Sequence, residues 1–385
     1  MKVEQVYSLL NDITKEVLGE TIVVNEDLSN VVDIGVAFEN LKDGYDNYVK
    51  SLYNHIGKVI FVDRKYGGRG LNVLRDAWEY GSILEKIRME LPEAEENESW
   101  KLENGASYDQ NVFRGPKVHA KFFNDRVTFE IDMSITEKQV KESFSSATQL
   151  NAFYSMIQTN IENSMTIKLD ELIMRTVNNA IAETIHDDYG ADALSSKSGV
   201  KAVNLLYMYN EANDTNLTAA EAVRDKDFIR FAVLTLSLYV DRLPVISKLF
   251  NVGGTEKFTP RDRMHIMLLS EFKRGADTYL QSDTFHDEYT KLPEAESIAY
   301  WQGSGTDYAF SSTSNINVKT ATGATVNASG ILGIIFDRDA LGVANLDKRT
   351  TTHYNAKAEF RNEFHKADAG YWNDLDENVV VFFVA

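Results

Sequence analysis

One stretch of the sequence, residues 148–186, carries a helical pattern that neither proline nor glycine interrupts. Its apolar side chains recur every three or four positions, which is the period of one stripe along an α-helix. They are Leu150, Tyr154, Ile157, Ile161, Met165, Leu169, Leu172, Ile173, Val177, Ile181 and Ile185. The side chains expected on the opposite face are Gln149, Gln158, Asn163, Lys168, Asp170, Glu171, Arg175 and Asn179. At ~1.5 Å per residue this helix would span roughly 55–60 Å, so the rest of the chain must be arranged along it.

The end of the helix is also marked in the sequence. Asp187 and Asp188 precede Gly190, which is placed for a C-terminal cap because glycine accepts the left-handed conformation. Two alternatives to a single helix remain open, namely a helix broken in two and one strand of a coiled coil. Heptads with paired charges are not sustained here, which weighs against the coiled coil. The pattern favours one long helix lying across a body rich in β-structure.

The composition excludes several classes of protein. The 385 residues include no cysteine, which rules out disulfides, thiolate zinc sites and cysteine nucleophiles. The net charge of −18 is opposite in sign to the surface of a sequence-reading nucleic-acid binder. No apolar run reaches the ~18 residues that a membrane span needs, and residues 1–19 lack the pattern of a secretion signal. We therefore expect a cytoplasmic origin.

Two segments before the long helix alternate with a period of two, which is typical of strands with one apolar face. The first contains Ile87, Met89 and Leu91, and the second contains Val127, Phe129, Ile131 and Met133. A long polar excursion separates them, so the pattern predicts an extended hairpin with an elaborate tip. Because an isolated two-stranded ribbon is marginal in water, we expect the hairpin to lie on another subunit; a local hairpin on its own chain is the alternative. The predicted assembly interface is Ile87, Met89, Val127, Phe129 and Ile131.

Shorter patterns predict elements in the second half of the chain. Thr218 and Glu221 have the spacing of a capping box at the start of a helix. Met264–Leu269 is typical of a buried strand, and a turn at Thr322–Gly323 separates two further β-runs.

The chain closes with an apolar run, Val379–Val384. Alternation is absent there, which indicates a strand buried on both faces. Exposed, such a strand would be an aggregation hazard. We expect it centrally in a sheet, in contact with residues 157–172 of the long helix.

The sequence contains no recognisable catalytic constellation. It lacks the glycine-rich phosphate loops, the paired-histidine zinc motif and the nucleophile elbow. The seven histidines are scattered. Asp337 and Asp339 flank Arg338, which favours a salt-bridged surface turn over a pair of catalytic carboxylates. We therefore predict no catalytic, cofactor-binding or metal-binding residues, and a protein that is not an enzyme.

The order of the elements is informative: an N-terminal arm, a long hairpin, a very long helix, a mixed region and a β-rich end. In this order the chain resembles the major capsid proteins of tailed bacteriophages with the HK-ninety-seven-type fold, especially those of phages of Gram-positive bacteria. Val112–Phe144 resembles the descending strand of that family's extended loop and its entry into the spine helix. Phe336–Leu341 resembles a late strand and turn, and Asn373–Ala385 resembles the final strand. The resemblance covers nearly the whole chain.

The resemblance implies an α+β fold with five parts. Residues 1–61 would be an N-terminal arm, and 62–135 an extended loop lying on a neighbour. Residues 136–189 would place the spine helix in a peripheral domain. Residues 190–330 would include the axial domain, and 331–385 would return to the peripheral domain. Some members of the family join a lysine to an asparagine covalently; the sequence assigns no such pair here, and Lys86 and Lys121 are the lysines considered for it.

The resemblance also implies a function. The chain would self-assemble as hexamers and pentamers into an icosahedral shell that encloses double-stranded DNA without reading its sequence. A separate scaffolding protein and a portal would be partners, and no membrane would be involved. Assembly would take place in the host cytoplasm, and the protein would end in the virion. The alternatives are an encapsulin-like compartment shell of the same fold and a soluble hydrolase whose site is not recognised.

Overall fold

The computed structural model describes residues 11–15, 25, 73–75, 84–92, 94, 96, 103–105, 111, 113–136, 147–190, 194–281, 294–302 and 309–385. The predicted N-terminal arm, 1–61, lies outside these residues except for 11–15, which are helical, and 25. Much of the predicted hairpin tip and the approach to the long helix, 137–146, lie outside them as well.

Helices and strands are mixed along the chain. The strands are β1 (Leu74–Arg75), β2 (Leu84–Met89), β3 (Val118–Phe123), β4 (Arg126–Thr136), β5 (Ala202–Asn204), β6 (Met264–Leu269), β7 (Glu296–Ile298), β8 (Ile316–Lys319), β9 (Thr325–Ala328), β10 (Ile331–Asp337), β11 (Leu341–Asn355), β12 (Phe360–Asn373) and β13 (Val379–Phe383). The labelled helices are α1 (Ala147–Tyr189), α2 (Leu205–Asn213), α3 (Ala219–Ala222), α4 (Lys226–Arg242), α5 (Ser270–Gln281) and α6 (Phe310–Thr313). The fold class is therefore α+β, as predicted.

The long helical pattern forms one helix, α1, of 43 residues. Its predicted stripe is buried at Ile157, Ile161 and Val177, among others. Gly190 ends it with φ 62° and donates its N–H to the carbonyl of His186 at 2.7 Å, which confirms the predicted cap. One detail of the predicted polar face is wrong, because Asp170 is buried.

The chain divides into two compact units. The first comprises Met1–Ala77, Arg126–Arg175 and Val343–Ala369. The second comprises Trp78–Asp125, Thr176–Gly342 and Gly370–Ala385. Helix α1 contributes residues to both.

In the first unit, β4 belongs to a four-stranded sheet of order β1-β11-β12-β4. Its period-two pattern turns Ile131, Met133 and Ile135 toward Ile157 and Ile161 of α1. The predicted pairing of this strand with the Ile87 strand is wrong, because β2 pairs with β3 instead. Strands β3 and β4 are consecutive in the chain but belong to different sheets.

The second unit is built around a five-stranded sheet of order β5-β13-β10-β6-β7. Strand β13 lies between β5, which runs parallel to it, and β10, which runs antiparallel. All five of its residues are buried, so the prediction of a strand buried inside a sheet is confirmed. The predicted buried strand β6 and the turn between β8 and β9 are confirmed as well.

Aromatic contacts fix the closing strand. The ring of Phe382 meets that of Tyr239 on α4 edge-on, with centroids 5.2 Å apart, and Phe383 meets Tyr189 at 5.7 Å. Beyond the strand, a Cβ on Gly330 would lie 1.9 Å from the carbonyl oxygen of Val384, so only glycine fits there. The predicted contact with residues 157–172 would join the two units and stays a prediction.

Truncating Phe382 to alanine should lower the free energy of unfolding by ~3–5 kcal/mol, because it empties a fully buried site in the core. Phe113→Ala removes the same atoms from a side chain that is 92% exposed, and it should change the stability by under ~0.5 kcal/mol. Denaturant unfolding of the two variants checks this, and deletion of residues 379–385 should give insoluble protein. Equal stabilities of the two variants would contradict the central role of β13.

Candidate assembly interface

The β2–β3 hairpin has two faces of opposite chemistry. The strands are antiparallel, with Lys86 opposite Lys121 and Ile87 opposite Ala120. Directly opposed residues project to the same side of a two-stranded sheet. One face therefore carries Lys86, Lys121 and Arg88 together with Leu84 and Phe123. The other face carries Glu85 and the apolar side chains of Ile87, Met89, Val118 and Phe122.

The charged face binds an acidic turn, which we define as residues 374–377 between β12 and β13. The ammonium group of Lys86 lies 2.6 Å from Asp374 and 2.7 Å from Glu377. Lys121 lies 2.8 Å from Asp374, and its ammonium also reaches the carboxylate of Asp376 at 3.3 Å. The hairpin is thus fixed to its own unit by ion pairs.

The pKa values within this cluster move in the directions of mutual stabilisation. Burial raises the pKa of Asp374, but the hydrogen bonds from Lys121 and Lys86 outweigh it, so the pKa ends below its usual value. Burial likewise raises the pKa of Glu377, and Lys257 and Lys86 lower it further than burial raises it. For Lys86, burial lowers the pKa, and the bonds to Asp374 and Glu377 raise it above its usual value. All three groups are therefore held in their charged forms.

The opposite face of the hairpin is exposed and mostly apolar, and its charged member is the exposed Glu85 opposite Phe122. We define the hairpin surface as Ile87, Met89, Val118 and Phe122. Ile87 is 65% exposed and Phe122 is 62% exposed. This arrangement inverts the usual one, in which a strand turns its apolar face toward the body and its charged face toward water. We therefore take this exposed apolar set as the candidate interaction surface.

The structure separates the five predicted interface residues into two groups. Ile87 and Met89 lie together on the exposed hairpin surface. Val127, Phe129 and Ile131 are half-buried on β4, in the other unit's sheet. Ile131 also packs against the apolar cluster of its own unit. The interface role of all five stays a prediction.

Sequence reasoning missed the acidic turn. Asp374, Asp376 and Glu377 occupy a polar run before an apolar strand, and nothing local shows that their partners lie far away. Lys86, for example, is 288 positions from Asp374. One usable signal was present, because Lys86 and Lys121 stand on strands at positions that alternate with apolar residues. Both lysines, considered above as cross-linking groups, are bound to carboxylates of the same chain.

The other candidate carboxylates form a structural turn. Arg263 forms an ion pair with Asp339, and the N–H of Asp339 donates to the Asp337 carboxylate at 2.9 Å. Burial raises the pKa of Asp337. The turn is salt-bridged, as predicted, but the cation is Arg263 of a distant segment. The predicted surface position is wrong for Asp337, which is buried. Within the described residues, no cluster of His, Asp and Glu could hold a metal ion, and no helix has the length and apolar character to cross a membrane.

The sequence matches a family model over residues 10–383, and that family is described as Phi29-like phage major capsid protein. The chain belongs to this family. It is therefore a capsid protein, the subunit from which a phage shell is built. The resemblance to major capsid proteins of tailed phages is confirmed, and the encapsulin-like alternative is not favoured.

Solved capsids are similar to this capsid protein at low identity. The capsid of Staphylococcus phage Andhra matches with 10% identity over 84% of this chain and 86% of the other, at a TM-score of 0.47. The capsid of cyanophage P-SCSP1u matches with 11% identity over 85% of this chain and 94% of the other, at a TM-score of 0.48. No curated protein sequence matches the chain.

Replacing Lys86 with methionine should loosen the hairpin, because two carboxylates lose a cation. Losing hydrogen bonds to charged groups costs about 1–3 kcal/mol, so the protection of the β2 and β3 amides from hydrogen exchange should fall ~5–150-fold. Lys117→Met is the matched control, since Lys117 is largely exposed and lies 3.6 Å from Glu90. That variant should lose under ~0.5 kcal/mol. Equal exchange in the two variants would contradict the anchor.

The anchor should respond to acid. Because the pKa values of Asp374 and Glu377 are lowered in the docked hairpin, their contribution is complete above their ordinary values of ~3.9 and ~4.3 and is lost as the pH falls through the lower docked values. Lys86, with a raised pKa, contributes fully below ~10.4 and loses its contribution at higher pH. Amide protection of the hairpin, corrected for intrinsic exchange, should therefore be constant between about pH 5 and 9. It should fall below about pH 4, and Asp374→Asn should reduce that fall; constant protection down to pH 3 would contradict this.

Proposed function

We propose that this capsid protein assembles through its hairpin surface, with copies forming the hexamers and pentamers of an icosahedral shell around double-stranded DNA. The observation that carries the proposal is the inverted hairpin. Its cations bind the acidic turn of the same chain, so its apolar face is left for another molecule. In a protein that forms a shell, the molecule beside each subunit is another copy.

The energetics support a contact between copies. A two-stranded ribbon is marginal alone in water, and here the ionic anchor holds one face. Burying apolar surface contributes roughly 25 cal/mol per Å², so covering Ile87, Met89 and Phe122 would stabilise the hairpin and the contact together. The free subunit keeps the hairpin in place, and assembly would complete its burial.

The domain assignment is part of the proposal. Residues 1–61 would form the arm, and 62–135 the extended loop, which contains β2 and β3 and ends on β4. Residues 136–189 would hold the spine helix, which corresponds to α1. Residues 190–330 would include the axial domain, and 331–385 would return to the peripheral domain through β13.

The partners and location follow from the same proposal. A separate scaffolding protein and a portal would act with the capsid protein, and assembly would occur in the host cytoplasm without a membrane. The net charge of −18 supports enclosure of DNA without sequence reading. The role is structural, and we propose neither enzymatic activity nor a cofactor.

Val127 and Phe129 stay in the proposed interface as half-buried side chains of β4. Ile131 stays there as well, but it also packs within its own unit. A substitution at Ile131 would therefore disturb folding together with assembly, and the hairpin surface gives the cleaner test.

The paired substitution Ile87→Asp and Met89→Asp should block assembly while leaving the subunit soluble. Each contact would have to bury a carboxylate without a partner, and a loss of ~1.4 kcal/mol per contact already weakens it tenfold. Mass photometry and negative-stain imaging should show subunits instead of closed particles, with an unchanged far-UV circular dichroism spectrum.

Ile167→Asp is the matched control for this test. Ile167 is 56% exposed on α1 and is remote in sequence from the hairpin, so this variant should form particles. Normal particles from the hairpin variant would refute the proposed role of the hairpin surface.

A further inference from the structure

Exposed large apolar side chains are concentrated in two segments of the second unit. In the described part of the chain, six of them lie between residues 87 and 122, in and beside the hairpin. Another six lie between residues 234 and 258, which we define as the ribbon surface: Leu234, Leu238, Val245, Ile246, Leu249 and Phe258. Two more, Ile167 and Val200, stand apart from both groups. The ribbon surface has no role in the function proposed above.

The ribbon surface is a defined structure. Leu234 and Leu238 are four residues apart on α4, so they lie on one side of that helix. The chain then forms a short ribbon, residues 243–259, closed by two hydrogen bonds between Ser247 and Lys257 of 2.9 and 3.1 Å. Ile246 and Phe258 each adjoin a bridged residue, and they are 51% and 50% exposed. The bridge therefore holds the two apolar residues near each other in the ribbon.

The acidic turn that anchors the hairpin also holds the ribbon. The ammonium of Lys257 lies 2.8 Å from Glu377. The N–H of Gly253 donates to the carbonyl of Leu375 at 2.9 Å, and the Thr255 hydroxyl donates to the carbonyl of Asp376 at 3.0 Å. A Cβ on Gly253 would lie 2.0 Å from the Asp376 carboxylate, so a larger residue there would displace that side chain. One turn thus sets the positions of both apolar surfaces.

Two ion pairs lie beside the ribbon surface. Lys248 lies 3.2 Å from Glu256, and Arg261 lies 2.5 Å from Asp241. The chain as a whole carries −18, so copies repel each other over most of their surface. An apolar surface bordered by neutral pairs is a place where two copies can approach with little of that repulsion.

We infer that the ribbon surface is the docking site for the hairpin surface of a second copy. This rests on the proposed function, which it deepens by naming the surface on which the hairpin lies. A ring or shell of identical subunits requires heterologous contacts, in which one patch of a subunit binds a different patch of the next. The two surfaces are separate apolar groups on one chain, held by the same turn, so every copy offers one of each in a fixed geometry.

Disulfide trapping tests the contact without background, because the chain has no cysteine. Met89→Cys and Phe258→Cys subunits are assembled together in equal amounts and oxidised. A covalent dimer of the two variants is expected on a non-reducing gel. A chain that carries both cysteines should give a ladder up to closed rings, because each copy is joined to the next. Pairing Met89→Cys with Ile167→Cys is the control and should give no such product.

A second measurement covers the case in which the cysteine variants fail to form particles. Met89→Lys and Phe258→Asp should each reduce particle yield at least tenfold, and the double variant should recover most of the yield because the new charges attract across the contact. Absence of the mixed dimer from particles, or absence of this recovery, would overturn the inference. Dimers joined only through Phe258→Cys on both chains would overturn it too, because the ribbon would then bind its own copy.

The two proposals fail in distinguishable ways. If the Ile87→Asp and Met89→Asp variant forms normal particles, the proposed role of the hairpin fails. If that variant is blocked while Phe258→Asp assembles normally, the hairpin role stands and only the docking site on the ribbon is refuted.

Discussion

The positions of the hairpin and the ribbon in the second unit depend on the acidic turn between β12 and β13. It directly precedes a strand that is buried on both faces, so it cannot move far without disturbing the core. Asp374 and Glu377 are themselves buried, and a buried carboxylate is costly unless cations and hydrogen bonds surround it. Lys86, Lys121 and Lys257 supply those cations from two distant segments of the chain. The requirement to neutralise this turn therefore positions the hairpin and the ribbon.

This requirement explains why the hairpin is inverted. Strands usually turn their apolar side inward, because hydrophobic burial is the main driving force of folding. In β2 the inward positions are taken by Lys86 and Arg88, which meet carboxylates, so Ile87 and Met89 must face outward. The free subunit gives up hydrophobic burial at this place, and under the proposed assembly it would recover that burial when a second copy covers the hairpin surface. Folding and assembly would then be divided between the two faces of one hairpin.

Local patterns predicted the parts of the fold whose causes are local. The spacing of three or four residues between apolar side chains predicted α1, and Gly190 predicted where that helix ends. The unbroken apolar run predicted the buried strand β13. The pairing of the strands was predicted wrongly. The strong alternation of β4 made it look like the partner of β2, whereas the true partner, β3, contains the adjacent Phe122 and Phe123 and alternates less clearly. Period-two alternation shows which side chains share a face, but it cannot show which face points inward. That choice depends on Asp374, which is distant in sequence and close in space.

The distribution of charge connects these observations to assembly. A net charge of −18 favours solubility of the free subunit and opposes close packing of many copies. Screening by salt acts on exposed charges and much less on the partly buried pairs of the anchor. The second unit uses its lysines to neutralise the acidic turn internally, and the pairs around the ribbon neutralise each other. These local pairs lower the repulsion that another acidic copy would meet at the ribbon surface, where exposed apolar side chains have the most to gain from burial.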